Sequence, residues 1–488
     1  MLGKAGQGGY QRANSAGGVV GTSESGRILA ERLGAATLVD PADIARYCRD
    51  WHGDRQTGAV AVLRPGSTRE VADAVRLCAD LGFAIVPQGG NTGLVLGALP
   101  DEPGAQVVLS LERMTRIRRI DPDDFSAVVD AGCVLETIKA AAEEAGCFFP
   151  LSLGAQGSCR VGGNVSTNAG GINVLRYGMT RELVLGLEVV LPDGTIWDGL
   201  STLRKDNRGI DLKQLFIGAE GTLGIVTGVA LKLLPRPTQI ETAFLGLASV
   251  EDAIRLYRRA RTDCCDLMSA FELIPPAAVP FARRAHPDLA APLAETYPAC
   301  VLMEVSGSGL VDVRALLDRF LEGVVEDGLV LDGVVAASRA QALALWRIRE
   351  GMNDGQALHG PHLRTDVSVP LSRVAEFVGS AEAEVAARLP DCQSVAYGHI
   401  GDGNIHFNVL PPEGMDPASA GARITAAKTI VNEAVDRFGG SISAEHGIGR
   451  LKRPDFEARL PPAQEGLLRR VRRAIDPHGR MNPGCQIG

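Results

Sequence analysis

The stretch PQGGNTG, residues 87–93, is a glycine-rich loop that follows a predicted helix and a predicted strand. The upstream STRE at residues 67–70 is a capping box, and the apolar residues after it recur at helical spacing until Gly82. A short apolar strand, residues 83–86, then leads into the glycine loop. Loops this rich in glycine expose backbone N–H groups to a ligand that approaches closely, as a diphosphate does.

A second glycine-rich segment, residues 153–171, contains GGNVSTNAGG and follows a predicted helix that carries Leu135 and Ile138. Glycine makes up 58 of the 488 residues, above the usual share of about 7%. Tight turns are the ordinary explanation of such clusters. Because both clusters follow an apolar segment, we favour a ligand site. A nicotinamide-binding unit fits less well, since GGNTG is not GxGxxG and no acidic residue follows at the distance of a ribose.

Two histidines, His399 and His406, flank GDGN at residues 401–404. Asp-Gly between alternating runs predicts a hairpin, in which cross-strand partners have Cβ atoms about 5 Å apart. We therefore expect His399 directly opposite His406, sharing one divalent ion, with Glu445 as the third ligand. Two imidazoles and one carboxylate leave open coordination positions, as in catalytic sites. Zinc is the expected metal, with manganese, cobalt or iron as alternatives.

The alternative is that these histidines are ordinary hairpin residues. The chain has only eight histidines, and Tyr397, His399, His406 and Asn408 would share one face of the hairpin. So polar a face is costly to bury without a purpose.

Length and composition predict two or more domains and exclude some functions. The net charge of −8, without a run of like charge, argues against a nucleic-acid surface. No apolar run reaches the length of a membrane span, about 18 residues or more, so we expect a soluble, cytoplasmic protein. Ten scattered cysteines indicate no disulfide framework. The oligomeric state stays open, with a homodimer among the alternatives.

Seven collinear blocks together resemble the FAD-linked oxidases of the vanillyl-alcohol-oxidase type. They are PQGGNTG, GGNVSTNAGG, VLGLEVVLPDG, LRKDN with DLK, GAEGTLGIVT, YGHIGDGNIH and SAEHGIG. Within this group the chain is most similar to the D-2-hydroxyglutarate dehydrogenase branch, with D-lactate dehydrogenases and the glycolate oxidase flavoprotein subunit as relatives.

The resemblance implies an α+β fold. An FAD-binding domain of two subdomains would span residues 28–236, after a flexible leader at 1–27. An antiparallel-sheet substrate domain with flanking helices would span 237–440, and a C-terminal segment, 441–488, would return to the FAD domain.

The resemblance also assigns the residues around FAD. They are Gly89, Gly90, Asn91, Thr92, Gly93, Gly157, Ser158, Gly163, Asn164, Thr167, Asn168, Gly170, Gly171, Glu220, Gly221 and Ile225. The flavin is expected to be noncovalent, because His52 is the only histidine in the first 230 residues; a cysteine tether is the alternative.

The reaction implied is oxidation of D-2-hydroxyglutarate to 2-oxoglutarate, with hydride transfer from C2 to flavin N5. By resemblance, His446 is the base for the hydroxyl proton, and the metal acts as a Lewis acid on the substrate. The electrons would pass to a partner such as electron-transfer flavoprotein.

The substrate carboxylates would be bound by Arg349 and Arg364, with Asn353 and Asn408 beside them. The family pattern has Lys at position 364 and a hydroxyl residue at 353, so the pocket around the distal carboxylate differs. D-lactate, D-malate and glycolate therefore remain alternative substrates. A zinc hydrolase and a flavin-binding scaffold without activity are the alternatives from other classes.

Overall fold

The computed structural model describes residues 22–101 and 105–487. The helices are α1 (Thr22–Leu33), α2 (Pro41–Ile44), α3 (Thr68–Leu81), α4 (Leu135–Glu144), α5 (Val161–Thr167), α6 (Val174–Tyr177), α7 (Thr180–Leu183), α8 (Val250–Cys264), α9 (Ala278–Ala285), α10 (Val313–Glu326), α11 (Arg339–His359), α12 (Val374–Arg388), α13 (Pro417–Arg437), α14 (Arg453–Glu457) and α15 (Pro462–Ile475).

The strands are β1 (Thr37–Leu38), β2 (Val62–Leu63), β3 (Ala84–Gln88), β4 (Gln106–Ser110), β5 (Ile117–Asp121), β6 (Ser126–Asp130), β7 (Cys147–Phe148), β8 (Val184–Val190), β9 (Ile196–Gly199), β10 (Ile225–Lys232), β11 (Leu234–Pro235), β12 (Gln239–Leu247), β13 (Met268–Ile274), β14 (Ala299–Gly307), β15 (Asp332–Val335), β16 (Val367–Ser368), β17 (Gln393–Tyr397) and β18 (Asn404–Leu410).

The first subdomain is a four-stranded sheet in the order β1-β2-β4-β3, in which β4 runs parallel to both its neighbours. The helix that was predicted upstream of the glycine loop is confirmed and is α3. Ser67 Oγ accepts the backbone N–H of Glu70, and the helix ends at Gly82 with φ +78°. Strand β3 then delivers the chain to the glycine loop at residues 89–93.

The N-terminal boundary differs from the prediction. Helix α1 begins at Thr22, inside the segment 1–27 that was expected to be a flexible leader, because Leu29 packs in the first hydrophobic core. Residues 1–21 of that segment lie outside the described residues.

The second subdomain is an antiparallel sheet in the order β5-β6-β10-β8-β9. Residues of both subdomains, from Leu29 to Leu233, form one hydrophobic core, which Met481 joins from the C-terminal segment. The two sheets are therefore held together by shared packing.

The remaining chain builds two antiparallel sheets, β13-β14-β12-β15 and β16-β18-β17, flanked by helices such as α8, α10, α12 and α13. Two further cores lie between residues 243 and 442. The predicted α+β fold is confirmed. All ten cysteines are free. Among the described helices, none combines the length and apolar character needed to cross a bilayer.

The C-terminal segment returns to the first subdomain. Ile85 of β3 donates its N–H to the Arg480 carbonyl (2.8 Å) and accepts the N–H of Asn482 (2.8 Å). The chain between α13 and α14, residues 438–452, contacts both domains, since Ser441 donates its N–H to the Ser368 carbonyl and Arg450 donates its N–H to the Val95 carbonyl. The candidate site lies along this segment.

Candidate active site

A cavity lies in the first domain against both glycine-rich segments. Eleven predicted contacts line it: Gly89, Gly90, Asn91, Thr92, Gly93, Gly163, Asn164, Thr167, Glu220, Gly221 and Ile225. Within the described residues, the backbone N–H groups of residues 90–93 donate to no protein acceptor. These groups therefore remain for a ligand.

Five predicted contacts lie outside the cavity wall. Gly157 and Gly170 face carboxylates, since a Cβ on them would approach Glu136 (3.2 Å) and Glu445 (2.4 Å) respectively. Gly171 donates its N–H to Glu445. Asn168 ends helix α5, where its Oδ1 accepts the Arg181 N–H.

The fifth, Ser158, backs the first glycine loop, because a Cβ on Gly90 would lie 2.2 Å from its carbonyl oxygen. Only glycine permits this close approach of the two segments.

The cavity fits a dinucleotide cofactor such as FAD. Asn164 Oδ1 is buried on its wall without a hydrogen-bond partner within the described residues, and a bound ligand would supply one. Gly93 and Gly163 have open space where a Cβ would project, so a ligand can contact their backbone.

The prediction that His399 lies directly opposite His406 is wrong. Strand β17 ends at Tyr397, and Tyr397 is the residue paired with His406. Gly398 leaves the strand with φ +143° and pairs with Leu273 of β13. Glycine is needed at this position, because a Cβ there would come within 2.7 Å of the Asn404 carbonyl oxygen. The connection is therefore longer than a two-residue turn.

The two imidazoles still converge, with ring centroids 5.9 Å apart. His399 Nδ1 contacts Glu272 Oε1 at 2.5 Å, and His406 Nδ1 contacts the Thr365 carbonyl at 3.2 Å. Each contact holds one ring nitrogen and leaves Nε2 for a ligand, which is the usual outer-shell arrangement around a metal.

Glu445 completes the donor set. Its Oε1 accepts the Gly171 N–H at 2.5 Å, while Oε2 lies 3.9 Å from His399 Nε2. Ligand atoms of His399, His406 and Glu445 lie within 4.8 Å of one another. The residues therefore fit a divalent ion with open positions, as expected for a catalytic centre.

A second set, Asp366, His406 and His446, is equally compact. Both Asp366 oxygens are already engaged. Oδ2 accepts the backbone N–H groups of Glu445 (2.9 Å) and His446 (2.7 Å), and Oδ1 accepts Asn404 Nδ2 (3.0 Å). We therefore favour the set containing Glu445.

The electrostatics of the two histidines differ. Burial alone would lower the pKa of His399, but the carboxylates of Glu272 and Glu445 outweigh it and raise the value to about 9. Burial lowers the pKa of His406 to about 3. His406 is therefore a neutral imidazole at pH 7, as a metal ligand must be. The proton on His399 offsets the negative charge of Glu272 and Glu445, which a bound cation would otherwise offset.

His446 lies at the junction of the glycine-lined cavity and a second cavity. Its Nδ1 is 3.8 Å from Asp366 Oδ2, and its ring lies 6.0 Å from that of His406. An imidazole in this position can exchange a proton with a molecule that reaches both cavities.

The predicted substrate residues occupy different environments. Arg364 is exposed on the second cavity. Arg349 is buried, with Nε donating to Glu272 (2.8 Å) and its guanidinium over the Tyr397 ring. Within the described residues, its terminal nitrogens donate no hydrogen bond.

The two asparagines lie against Tyr397. Asn353 Oδ1 accepts the Tyr397 hydroxyl at 2.5 Å, and Asn408 Nδ2 donates to Gln356 and to the Tyr397 oxygen. Both side chains therefore support the buried polar layer behind the metal donors.

Sequence reasoning missed Glu272 and Asp366. Glu272 lies in the middle of the apolar strand β13 and is fully buried, as is Asp366. A carboxylate within an apolar strand needs a cationic or hydrogen-bonding partner, so Glu272 was the detectable signal.

The molecule has the vanillyl-alcohol-oxidase type of flavoprotein fold. It is similar to p-cresol methylhydroxylase, with a TM-score of 0.74 at 15% identity over 95% of this chain and 96% of the other. The models of an FAD binding domain and of the C-terminal domain of FAD linked oxidases match residues 59–199 and 236–485.

The chain belongs to the FAD-linked oxidase family. It is 39% identical to a mitochondrial D-2-hydroxyglutarate dehydrogenase of Bos taurus, over 91% of this chain and 80% of the relative. It is 38% identical to the D-2-hydroxyglutarate dehydrogenase of Xanthomonas citri pv. viticola, over 91% and 93% of the two chains.

Proposed function

We propose that the protein is an FAD-dependent, metal-assisted dehydrogenase that oxidises D-2-hydroxyglutarate to 2-oxoglutarate. The names of the relatives support this substrate. The observation that carries the proposal is the position of His446, which lines both cavities beside the donor set of His399, His406 and Glu445.

The cofactors are assigned to separate groups of residues. Residues 89–93 and the first turn of α5 would hold FAD, and the two histidines with Glu445 would hold the metal, for which zinc remains the first expectation. FAD, when bound, would supply a hydride acceptor, and a divalent ion would supply a Lewis acid for the substrate hydroxyl. His52 lies on the second cavity rather than the first, which supports a noncovalent flavin.

His446 accepts the hydroxyl proton in this proposal. Because its Nδ1 faces Asp366, Nε2 is the nitrogen left for the substrate. The terminal nitrogens of Arg349 are free to bind the C1 carboxylate, and Arg364 on the second cavity is available for the distal one. Asn353 and Asn408 keep Tyr397 in place beside Arg349.

Transfer of the electrons to a partner such as electron-transfer flavoprotein, and a cytoplasmic location, stay predictions.

The test is anaerobic mixing of the purified protein with D-2-hydroxyglutarate while the flavin absorbance is followed, with D-lactate, D-malate and glycolate in parallel. Rapid bleaching by D-2-hydroxyglutarate alone is the expected result. Bleaching only by a monocarboxylate would assign the protein to the D-lactate or glycolate dehydrogenases. A preparation that binds no flavin would overturn the proposal.

The matched variants are His446→Ala and His478→Ala, the second at an exposed position. We expect His446→Ala to keep FAD and to reduce it more slowly by roughly 10²–10⁴-fold, the usual contribution of a general base. His478→Ala should behave as wild type. Normal reduction in His446→Ala would remove this residue from the base role.

A further inference from the structure

The second cavity is lined by both domains. The first domain contributes a short loop, residues 50–55, and residues 94–96, and the second domain contributes residues 362–365 and part of α13. His446 and Val95 line this cavity as well as the glycine-lined one. A molecule that reacts at His446 can therefore extend towards the loop at 50–55.

Two cations on this cavity, Arg55 and Arg364, have no acidic partner within the described residues. Lys428 pairs with Asp455 at 2.6 Å, and Lys452 Nζ donates to the Ile442 carbonyl at 2.9 Å. In the part of the chain that the structure describes, the guanidinium groups of Arg55 and Arg364 have no carboxylate within 4.0 Å, although both line this wall. Arg364 Nε donates to His362 Nε2 at 3.3 Å, and the other nitrogens of the two guanidiniums remain available. Two guanidiniums without a carboxylate on one cavity predict an anion site.

Three aspartates line this cavity, and two of them, Asp50 and Asp455, already have a hydrogen-bond or ion-pair partner. Asp50 Oδ1 accepts the Arg55 backbone N–H at 2.7 Å. Asp54 also lines the cavity and has no ion pair within the described residues. Burial and the Arg364 guanidinium lower the pKa of His52, which places this loop within electrostatic reach of Arg364.

The loop that carries Arg55 is built to a defined shape. Arg49 pairs with Gln56, and the turn between them passes through Gly53 with φ +79°, where a Cβ would meet the Arg49 side chain. Asn91 of the glycine loop donates to the Arg49 carbonyl at 2.7 Å. The segment that borders the cofactor cavity therefore also positions Arg55.

We propose that Arg55, on a loop of the FAD-binding domain, forms with Arg364 the site for the distal anionic group of the substrate, so that the enzyme selects 2-hydroxy acids that carry a second carboxylate. This inference rests on the proposed function and adds a specificity residue from the first domain. A monocarboxylate such as D-lactate has no group to place there.

The test compares Arg55→Ser with Arg319→Ser, a matched change at an exposed position of α10. The dissociation constant of glutarate, an unreactive dicarboxylate, is measured by the flavin absorbance change, together with the half-saturating concentrations of D-2-hydroxyglutarate and D-lactate. For Arg55→Ser we expect glutarate binding and half-saturation by D-2-hydroxyglutarate to weaken by about tenfold. The limiting reduction rate and the D-lactate values should change by less than about twofold.

The variant Arg55→Lys should restore most of the glutarate affinity, because it keeps the charge. Equal losses for D-lactate and D-2-hydroxyglutarate, or unchanged glutarate binding in Arg55→Ser, would overturn the inference. If wild-type flavin is reduced by none of the hydroxy acids, the proposed function fails, and the glutarate titration still decides whether Arg55 belongs to an anion site.

Discussion

At the scale of single residues, Asp366 organises the candidate site. Its carboxylate is fully buried and joins Asn404, the first residue of β18, to the backbone of Glu445 and His446. Burial would raise the pKa of this carboxyl, but the electrostatic interactions with His446 first and then Lys452, together with the surrounding N–H donors, outweigh it and lower the value, so the group is charged at pH 7. One side chain thus positions a metal donor and the proposed base together.

The first prediction concerns Asp366→Ala. The change leaves three N–H donors without an acceptor, so we expect the free energy of unfolding of the second domain to fall by roughly 3 kcal/mol or more. The midpoint of denaturant unfolding measures this. The control is Asp288→Ala, which removes an exposed ion pair with Arg347 and should change stability by less than about 1 kcal/mol. Equal midpoints for the two variants would contradict the positioning role.

At the scale of elements, β18 supplies one imidazole and the connection after β17 supplies the other. His406 lies in β18, whereas His399 lies beyond the end of β17 and is held from outside the pair by Glu272 of β13. The metal donor set is therefore a product of two sheets and the segment that carries Glu445.

The second prediction concerns metal removal. A chelator should abolish flavin reduction, and zinc should restore it, because the open coordination positions are needed beside the substrate. Competition with a chelator should show that Glu445→Gln binds zinc at least roughly 10- to 100-fold more weakly than wild type, since loss of even an outer-shell partner costs that much. His478→Ala should keep its metal. Full activity in protein verified as metal-free would refute the assignment.

The third prediction concerns the antiparallel sheet of the first domain. Glu188 of β8 accepts hydrogen bonds from Thr68 (2.6 Å), Arg118 (2.8 Å) and Thr227 (2.9 Å). Burial would raise the pKa of this carboxyl, but the hydrogen bonds, that of Arg118 first, outweigh it and lower the value. The carboxylate therefore joins α3, β5 and β10 to β8 in its charged form.

We expect Glu188→Gln to lower the free energy of unfolding by about 1–3 kcal/mol at pH 7. Because the folded pKa is lowered, the contribution is present above the ordinary value of 4.5 and is lost as the pH falls through the folded value. Thermal unfolding midpoints of both proteins should differ most near neutral pH and converge in acid. A difference that grows in acid would contradict the sign.

At the scale of the whole molecule, the C-terminal segment joins the two domains at Glu220. The Glu220 carboxylate is buried at the cofactor cavity and accepts the N–H groups of Ile448 and Gly449, each at 2.7 Å. Asn482 donates to its backbone carbonyl at 2.7 Å. These contacts fix the chain immediately after His446 against the first domain.

The fourth prediction follows from this junction. Glu220→Ala leaves two buried N–H groups unpaired, at about 1–3 kcal/mol each, and frees the segment after His446. We expect the temperature at which flavin fluorescence is released to fall by about 5 °C or more. Glu376→Ala, at an exposed ion pair on α12, is the control. An unchanged release temperature for Glu220→Ala would show that this junction does not hold the flavin.

The sequence predicted the features that depend on neighbouring residues. Local backbone preferences explain the capping box, Gly82 and the glycine loop. Helix α3 and strand β3 accordingly lie at the predicted positions. The register between His399 and His406 could not be predicted, because the pairing of Gly398 with β13 joins residues far apart in the chain.

The sequence alone determined the family, the fold class and the kinds of donor available for a metal. Only the tertiary structure decided which atoms of those donors are free, since Glu272 and Thr365 each occupy one nitrogen of a histidine. It also decided that Arg55 shares a cavity with Arg364. The physical reason is the separation along the chain of the residues that interact. Capping and turns involve neighbouring residues, whereas the burial and pairing of charges involve segments that meet only after folding.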